Sequence, residues 1–438
     1  MKFKFLIIAV IAATVMFSSC NKSNDIDGSE NEGLPTTMQL SFSLPNIPQT
    51  RNVTGDPNGT ADESKINSLD VFIYHTASGD FDTHQNIGED KFIYRGYSGK
   101  ADLYFCTERV AATTGNKSVF LGINLPEKVV NGLKGQPASA LSTIVQNMSR
   151  DELAGTENFV MFSVREWKGT FELCEDENNV LIECQRLVAK ITVETDKNMK
   201  ITGAEGLLKN KDFAVVNFNK KQFLFLELPY KDPNWEKGSY HAADFYPLLS
   251  SDYAPVTIGS SITGAPQLIH YTPRYAAENT SEGKLKKEIT RVVIRSAFIP
   301  KNITEGTTGN FTVNDIQTSE PKTFYSVTPS SLLGTSFFFD RNVANAYKAE
   351  FGGDIIEYSN GLCYWDIFLG KNPIHPVNKW DVVRNSYYRC KITGMTTPGR
   401  NTPDVPDPEV PPGEEETHIS AEIQILFWTV REENTDLI

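Results

Sequence analysis

Few side chains in this 438-residue sequence are spaced for catalysis. The six histidines, His75, His84, His241, His270, His375 and His418, are dispersed and show no metal-ligand spacing. No Gly-x-Ser-x-Gly elbow, His-Glu-x-x-His helix, phosphate-binding loop or Gly-x-Gly-x-x-Gly turn is present. Acidic residues are plentiful, so a carboxylate pair for glycoside hydrolysis stays open, yet no pattern marks one. Glu175-Asp176-Glu177 has the charge to attract calcium, but a solvated turn accounts for it better. Trp365 and Trp380 have faces on which a sugar ring could stack, and core packing explains them more simply. Taken together, these residues point away from an enzyme and away from a bound metal or cofactor.

Two residues do sit where chemistry is invited. Lys2 and Lys4 precede an apolar run from Phe5 to Phe17, and Ser18-Ser19 then lead directly into Cys20. A charged start, a short apolar stretch and small residues before a cysteine resemble a bacterial lipoprotein box rather than a permanent membrane span. Cleavage before Cys20 and acylation of its thiol are the expected outcome, making that lipid the one covalent group anticipated. An ordinary secretory signal is the alternative. The second residue is Arg51, with no other Lys or Arg between Lys22 and Lys65. A strand followed by one isolated basic residue in a Pro-punctuated loop looks like a removable strand. A solvent-facing loop arginine with no role is the plainer reading of Arg51 alone. The other five cysteines (Cys106, Cys174, Cys184, Cys363 and Cys390) contain no Cys-x-x-Cys pair. Cys174 and Cys184 flank an acidic turn and could face each other across a hairpin, although buried free thiols are favoured.

The elements around these residues are strands. Just before Arg51, Met38, Leu40, Phe42 and Leu44 alternate with Gln39, Ser41 and Ser43, the period of a strand with one buried face. At the far end Ile419, Ala421, Ile423, Ile425 and Phe427 alternate again, with Trp428 next in the chain. Thr402 to Gly413, rich in proline and acid, reads as an extended spacer ahead of that last strand. The last strand either closes its own core or is meant for another molecule. Between these ends, short β-branched and aromatic runs lie between Gly, Pro and Asn, as at 65–74, 117–124, 187–193, 290–299, 362–369 and 386–393. Residues 138–148 carry the best helical spacing. The fold class expected is all-β, with two β-sandwich domains and short helices, preceded by a lipoprotein signal peptide and a propeptide strand. The expected divisions are a signal peptide over 1–19, a lipidated propeptide over 20–51, β-sandwich domains over 52–235 and 236–401, and the spacer with its strand over 402–438. A net charge of −13 and a pI near 5.1 argue against a nucleic-acid partner.

Taken in order, these features resemble the Bacteroidia-type fimbrillins, or type V pilins, and within them the major subunits of minor fimbriae. Beyond Cys20 and Arg51, the resemblance rests on Lys65-Ile-Asn-Ser-Leu69, Arg186-Leu-Val-Ala-Lys-Ile191 and Glu278-Asn-Thr280. It rests further on Asn360-Gly-Leu-Cys-Tyr-Trp365, Val383-Arg-Asn-Ser-Tyr-Tyr388 and the strand leading to Trp428. The resemblance implies transthyretin-like sandwiches, export as an outer-membrane lipoprotein, and a cut after Arg51 by an arginine-specific protease. Loss of the strand bearing Met38, Leu40, Phe42 and Leu44 would open a groove. A neighbour's strand around Ile419 to Val430 would fill it, building a head-to-tail extracellular filament that supports adhesion or biofilm formation. Other copies of the chain and anchor and tip accessory subunits are the implied partners. A role as anchor or tip accessory, or as a monomeric glycan-binding surface lipoprotein, competes with that reading.

Overall fold

The computed structural model describes residues 32–45, 60–98, 101–226, 231–235, 241–258, 272–280, 285–330, 334–370, 380–412 and 418–428. Cys20, Arg51 and Asn52 lie outside them. Within them the chain is a succession of strands with a few short helices. No described helix is long and apolar enough to cross a membrane.

The first strand, Pro35–Pro45, alternates as its sequence dictates, with Met38, Leu40, Phe42 and Leu44 inward and Gln39, Ser41 and Ser43 only partly covered. It belongs to a ten-stranded sheet. The pairing path there runs Phe81–Gly88, Ser68–His75, Gly115–Ile123, Met161–Ser163, Asn179–Arg186, Pro35–Pro45, Ala101–Cys106 and Phe92–Ser98. Side chains from this whole path meet in one core, joined by Val129, Val130 and Leu133 of the Glu127–Leu133 helix.

A second core lies between two further sheets. One pairs Val188–Gly203 with Ser386–Thr397 in parallel, and Ser386–Thr397 with the last strand, Ile419–Phe427, antiparallel. The other runs Gly206–Val216, Arg291–Pro300 and Leu362–Phe368, all antiparallel. A smaller cluster packs Tyr347 and Ala344 of the Arg341–Phe351 helix against Val327 and Phe338. That helix is capped by the Asp340 side chain, which accepts from the Asn342 N–H at 2.7 Å, and ends at Gly352 with φ 77°.

Two expectations need correction, and one helix was not foreseen. Ala189, Ile191, Val193, Phe213 and Val215, assigned to the amino-terminal unit ending at 235, lie in the second core. The change of core falls near Leu187, because the strand after it pairs with Ser386–Thr397 rather than with its predecessors. Residues 138–148 form only the short helix Ala140–Thr143. Ile144 then turns extended, and Gln146–Asn147 pairs with Lys221–Gln222, so a distant strand overrides the local spacing. The Arg341–Phe351 helix, polar along much of its length, was not anticipated.

Candidate functional site

The first strand is held on both sides. Gln39 to Ser43 pair in parallel with Asn179 to Glu183, while Ser41 to Pro45 run antiparallel to Phe105 to Ala101 and Pro35 to Met38 antiparallel to Thr113 to Val110. Its apolar row is sealed: Met38, Leu40 and Phe42 are 0% exposed and Leu44 is 1%. Phe42 stacks on Tyr104 at 5.0 Å between centroids and meets Phe92 edge-on at 5.8 Å. At its start Asn178 acts as a polar clip. Its amide donates to Thr36 Oγ1 at 3.1 Å and to the Thr37 carbonyl at 2.9 Å, and its own carbonyl accepts from the Gln39 N–H at 2.7 Å. Arg109 Nε adds a bond to Thr37 Oγ1 at 2.7 Å and lies near the carboxylates of Glu175 and Asp176, so the acidic turn faces an arginine. No metal-holding group of His, Cys, Asp and Glu occurs among the described residues.

The last strand is held on one side. Ile419, Ala421, Ile423 and Ile425 face the second core, but only Ile419 is buried and the other three are half-buried. Its single described neighbour is Ser386–Thr397, so its far edge carries no described partner strand. The residue just past its end is held quite differently. Trp428 is 0% exposed and enters the first core, stacked on Tyr275 at 5.7 Å and edge-on to Phe159 at 5.7 Å. The Arg186 guanidinium lies over its ring at 4.4 Å and donates to its carbonyl at 3.3 Å. Its indole N–H donates to Glu63 at 3.3 Å.

Glu63 is the centre of this cluster. Its carboxylate accepts from Tyr275 Oη at 2.8 Å, from the Thr60 N–H at 2.9 Å and from Lys190 Nζ at 3.1 Å. Glu63 and Lys190 are 2% and 3% exposed, so burial is tolerated here because each charge meets the other. Burial pushes Arg186 down to about 10, opposed by the Glu63 carboxylate, and raises the Tyr275 phenol well above its usual range. A second buried pair joins Arg384 to Glu278 at 2.9 Å, with Arg384 also donating to the Leu224 carbonyl at 2.8 Å. Neither ion pair was singled out from the sequence. A signal existed: Arg186 and Lys190 interrupt an apolar run, and cations inside a strand require a carboxylate.

The spacer before the last strand is a docked strap over its described part, up to residue 412. Prolines accept but cannot donate, and the surrounding cations supply the donors. Arg400 donates to the Asp404 carbonyl at 2.7 Å, Arg291 to Pro403 at 3.0 Å, and the Lys286 and Lys287 N–H groups to Val410 and Pro408 at 2.9 and 3.2 Å. Lys287 Nζ meets Glu409 at 2.6 Å. Cys184 is a free buried thiol, as are Cys106, Cys363 and Cys390, so Cys174 and Cys184 do not pair. Trp365 is 1% exposed and offers no sugar platform.

An all-β two-core chain with terminal strands of matching period defines a class that can be compared with known proteins. Residues 356–434 match the family described as "Major fimbrial subunit protein type IV, Fimbrillin, C-terminal". Among solved structures, a fimbrilin (FimA) from Porphyromonas gingivalis superposes with a TM-score of 0.53 at 15% identity, covering 91% of this chain and 99% of that one. A cell adhesion protein described as putative, from Parabacteroides distasonis, gives 0.47 at 12% identity, covering 91% and 98%. No curated protein matches. The chain has the fimbrillin fold and a fimbrillin carboxy-terminal region, and the resemblance to Bacteroidia fimbrillins holds. The family matched by that region is one of fimbrial structural subunits rather than enzymes.

Proposed function

We propose that this chain is the stalk subunit of a fimbria, polymerised by exchange of terminal strands after removal of its first one. The observation that carries the reading is the central position of the first strand. A strand at the amino-terminal end of the fold, between two others, leaves when lost a groove with unpaired backbone along both walls. Four buried apolar side chains, at about 1.5–3 kcal/mol each, set the burial forfeited at on the order of 6–12 kcal/mol. That rivals the stability of a whole domain, so an empty groove demands a replacement.

The replacement is the last strand of a neighbour. Ile419, Ala421, Ile423 and Ile425 repeat the four-fold alternation of Met38, Leu40, Phe42 and Leu44, and their present seat has one described wall rather than two. Leaving a one-walled edge for a two-walled groove gains backbone hydrogen bonds. The contact is heterologous and does not close, so it propagates as a filament. Acylation at Cys20 brings the precursor to the outer membrane, and an arginine-specific protease cutting between Arg51 and Asn52 releases the first strand. Anchor and tip accessory subunits would terminate the filament at its two ends.

The test is Arg51→Ala. Acylated monomer should accumulate at the outer membrane without filaments, whereas wild-type filament subunits should begin at Asn52 by mass spectrometry. Normal filaments from the variant would sink the processing step.

A further inference from the structure

The last strand is weakly walled along its length and yet ends in the most enclosed indole of the described chain, and this asymmetry has a physical consequence. Ala421, Ile423 and Ile425 are half-buried on a sheet edge, so the strand itself contributes modestly to its own retention. Trp428 is fully buried, and its surroundings are polar as well as aromatic: the Arg186 guanidinium over one face, Tyr275 stacked at 5.7 Å, and Glu63 at the indole N–H. We propose that Glu63 is a latch that holds the carboxy-terminal strand at home in the single chain.

Four donors gather at this one carboxylate. An ionised carboxylate has about four lone-pair sites. Here they receive the Thr60 N–H, Tyr275 Oη, Lys190 Nζ and the Trp428 indole N–H, so Trp428 completes the set. Arg186 binds the same two partners from the other side, donating to the Glu63 carbonyl at 2.9 Å, to Ser64 Oγ at 2.9 Å and to the Trp428 carbonyl at 3.3 Å. Two buried cations therefore share one buried anion, and the indole ring face supplies the remaining negative potential. Withdrawing Trp428 leaves Arg186 without its ring and carbonyl and Glu63 short of a donor, where the two residues are 1% and 2% exposed. Departure of the last strand is thus gated at the residue just past its end rather than along its ladder. Glu63 sits on the segment downstream of Arg51, so that segment and the residue after the last strand meet at this carboxylate. The latch acts in the single chain and does not depend on how filaments assemble.

Hydrogen exchange on the full-length monomer tests it. Glu63→Gln keeps the shape but turns half of the acceptor head into a donor facing Thr60, Trp428 and Lys190. Exchange over Ile419–Phe427 should rise at least about tenfold, with no change over Leu362–Phe368 in the same second core. Trp428→Phe keeps a ring under Arg186 but removes the N–H together with part of the indole's bulk, and should raise exchange over the same strand by at least about threefold. This variant carries the test if Glu63→Gln fails to fold. Unchanged exchange over the last strand, or an equal rise over Leu362–Phe368, overturns the latch. Because no filament enters the readout, failure here leaves the exchange mechanism standing, and failure of Arg51→Ala to block filaments leaves the latch standing.

Discussion

The two terminal strands carry the same alternation and are embedded in opposite ways. The first lies between neighbours on both sides and buries Met38, Leu40, Phe42 and Leu44 to 1% exposure or less. Among the described residues the last is paired only with Ser386–Thr397; it half-buries Ala421, Ile423 and Ile425 and concentrates its hold in Trp428. A period of two specifies which face is buried; it says nothing of how many walls the strand has. In the exchange reading this difference is functional. A two-walled strand does not leave unless its chain is cut, while a one-walled strand leaves when its end is freed.

The largest expected effect comes from substituting the two strands at matched positions. Phe42→Ala removes a ring stacked on Tyr104 inside a sealed core, and should cost about 3–5 kcal/mol in urea unfolding. Ile423→Ala, half-buried on the edge strand, should cost about 1–2 kcal/mol. Equal losses would break the comparison, since they would mean that the last strand is as deeply built in as the first.

A smaller and more local effect is open to measurement through two buried thiols. Cys106 adjoins the first strand, its carbonyl accepting from Gln39 Nε2 at 2.6 Å, and Cys390 lies directly opposite Ile423 of the last strand. Burial raises both thiols to about 12. At pH 8 the folded thiols are therefore protonated and react only when a strand opens. Cys390 should be alkylated about tenfold faster than Cys106 in the native monomer, read by peptide mass spectrometry. The reverse order would place the weaker strand at the amino terminus. The same shifts have a fixed sign for stability: unfolded thiols ionise near pH 8.5 and folded ones near 12. Their contribution is complete below about pH 8.5 and is lost as the pH rises through that window.

Much of this contrast was beyond the reach of sequence. Strand character at 38–44 and 419–427 was legible because side-chain alternation is a local property, and so was the all-β class. Wall count was not, because the parallel neighbour of the first strand is Asn179–Arg186, far along the chain, and no local pattern names it. The Glu63 cluster was hidden for the same reason. Asp62-Glu63-Ser64 reads as a polar turn, and its partners Arg186, Lys190, Tyr275 and Trp428 come from three distant parts of the sequence. The spacer was legible as proline-rich and extended. Its docking was not, since the donors that hold it are Arg291, Lys286 and Lys287.

That docking sets how far the last strand can travel, and its perturbation is the smallest effect expected. With residue 412 fixed, the six residues to 418 extend at most about 20 Å, whereas a strap freed from residue 400 extends about 60 Å. Release of the strap therefore separates a strand confined to its own subunit from one able to reach a neighbour. Lys287 Nζ–Glu409 is an exposed ion pair, with Glu409 68% exposed, so Lys287→Ala should change unfolding free energy by less than about 0.5 kcal/mol. The backbone bonds from Lys286 and Lys287 to Val410 and Pro408 survive that change. Limited proteolysis within 402–412 should accelerate only about twofold, and Cys390 alkylation should not move, because the strap and the Trp428 seat are separate holds. A rise in Cys390 reactivity together with strap cleavage would show instead that the strap, and not the buried end of the strand, governs its departure.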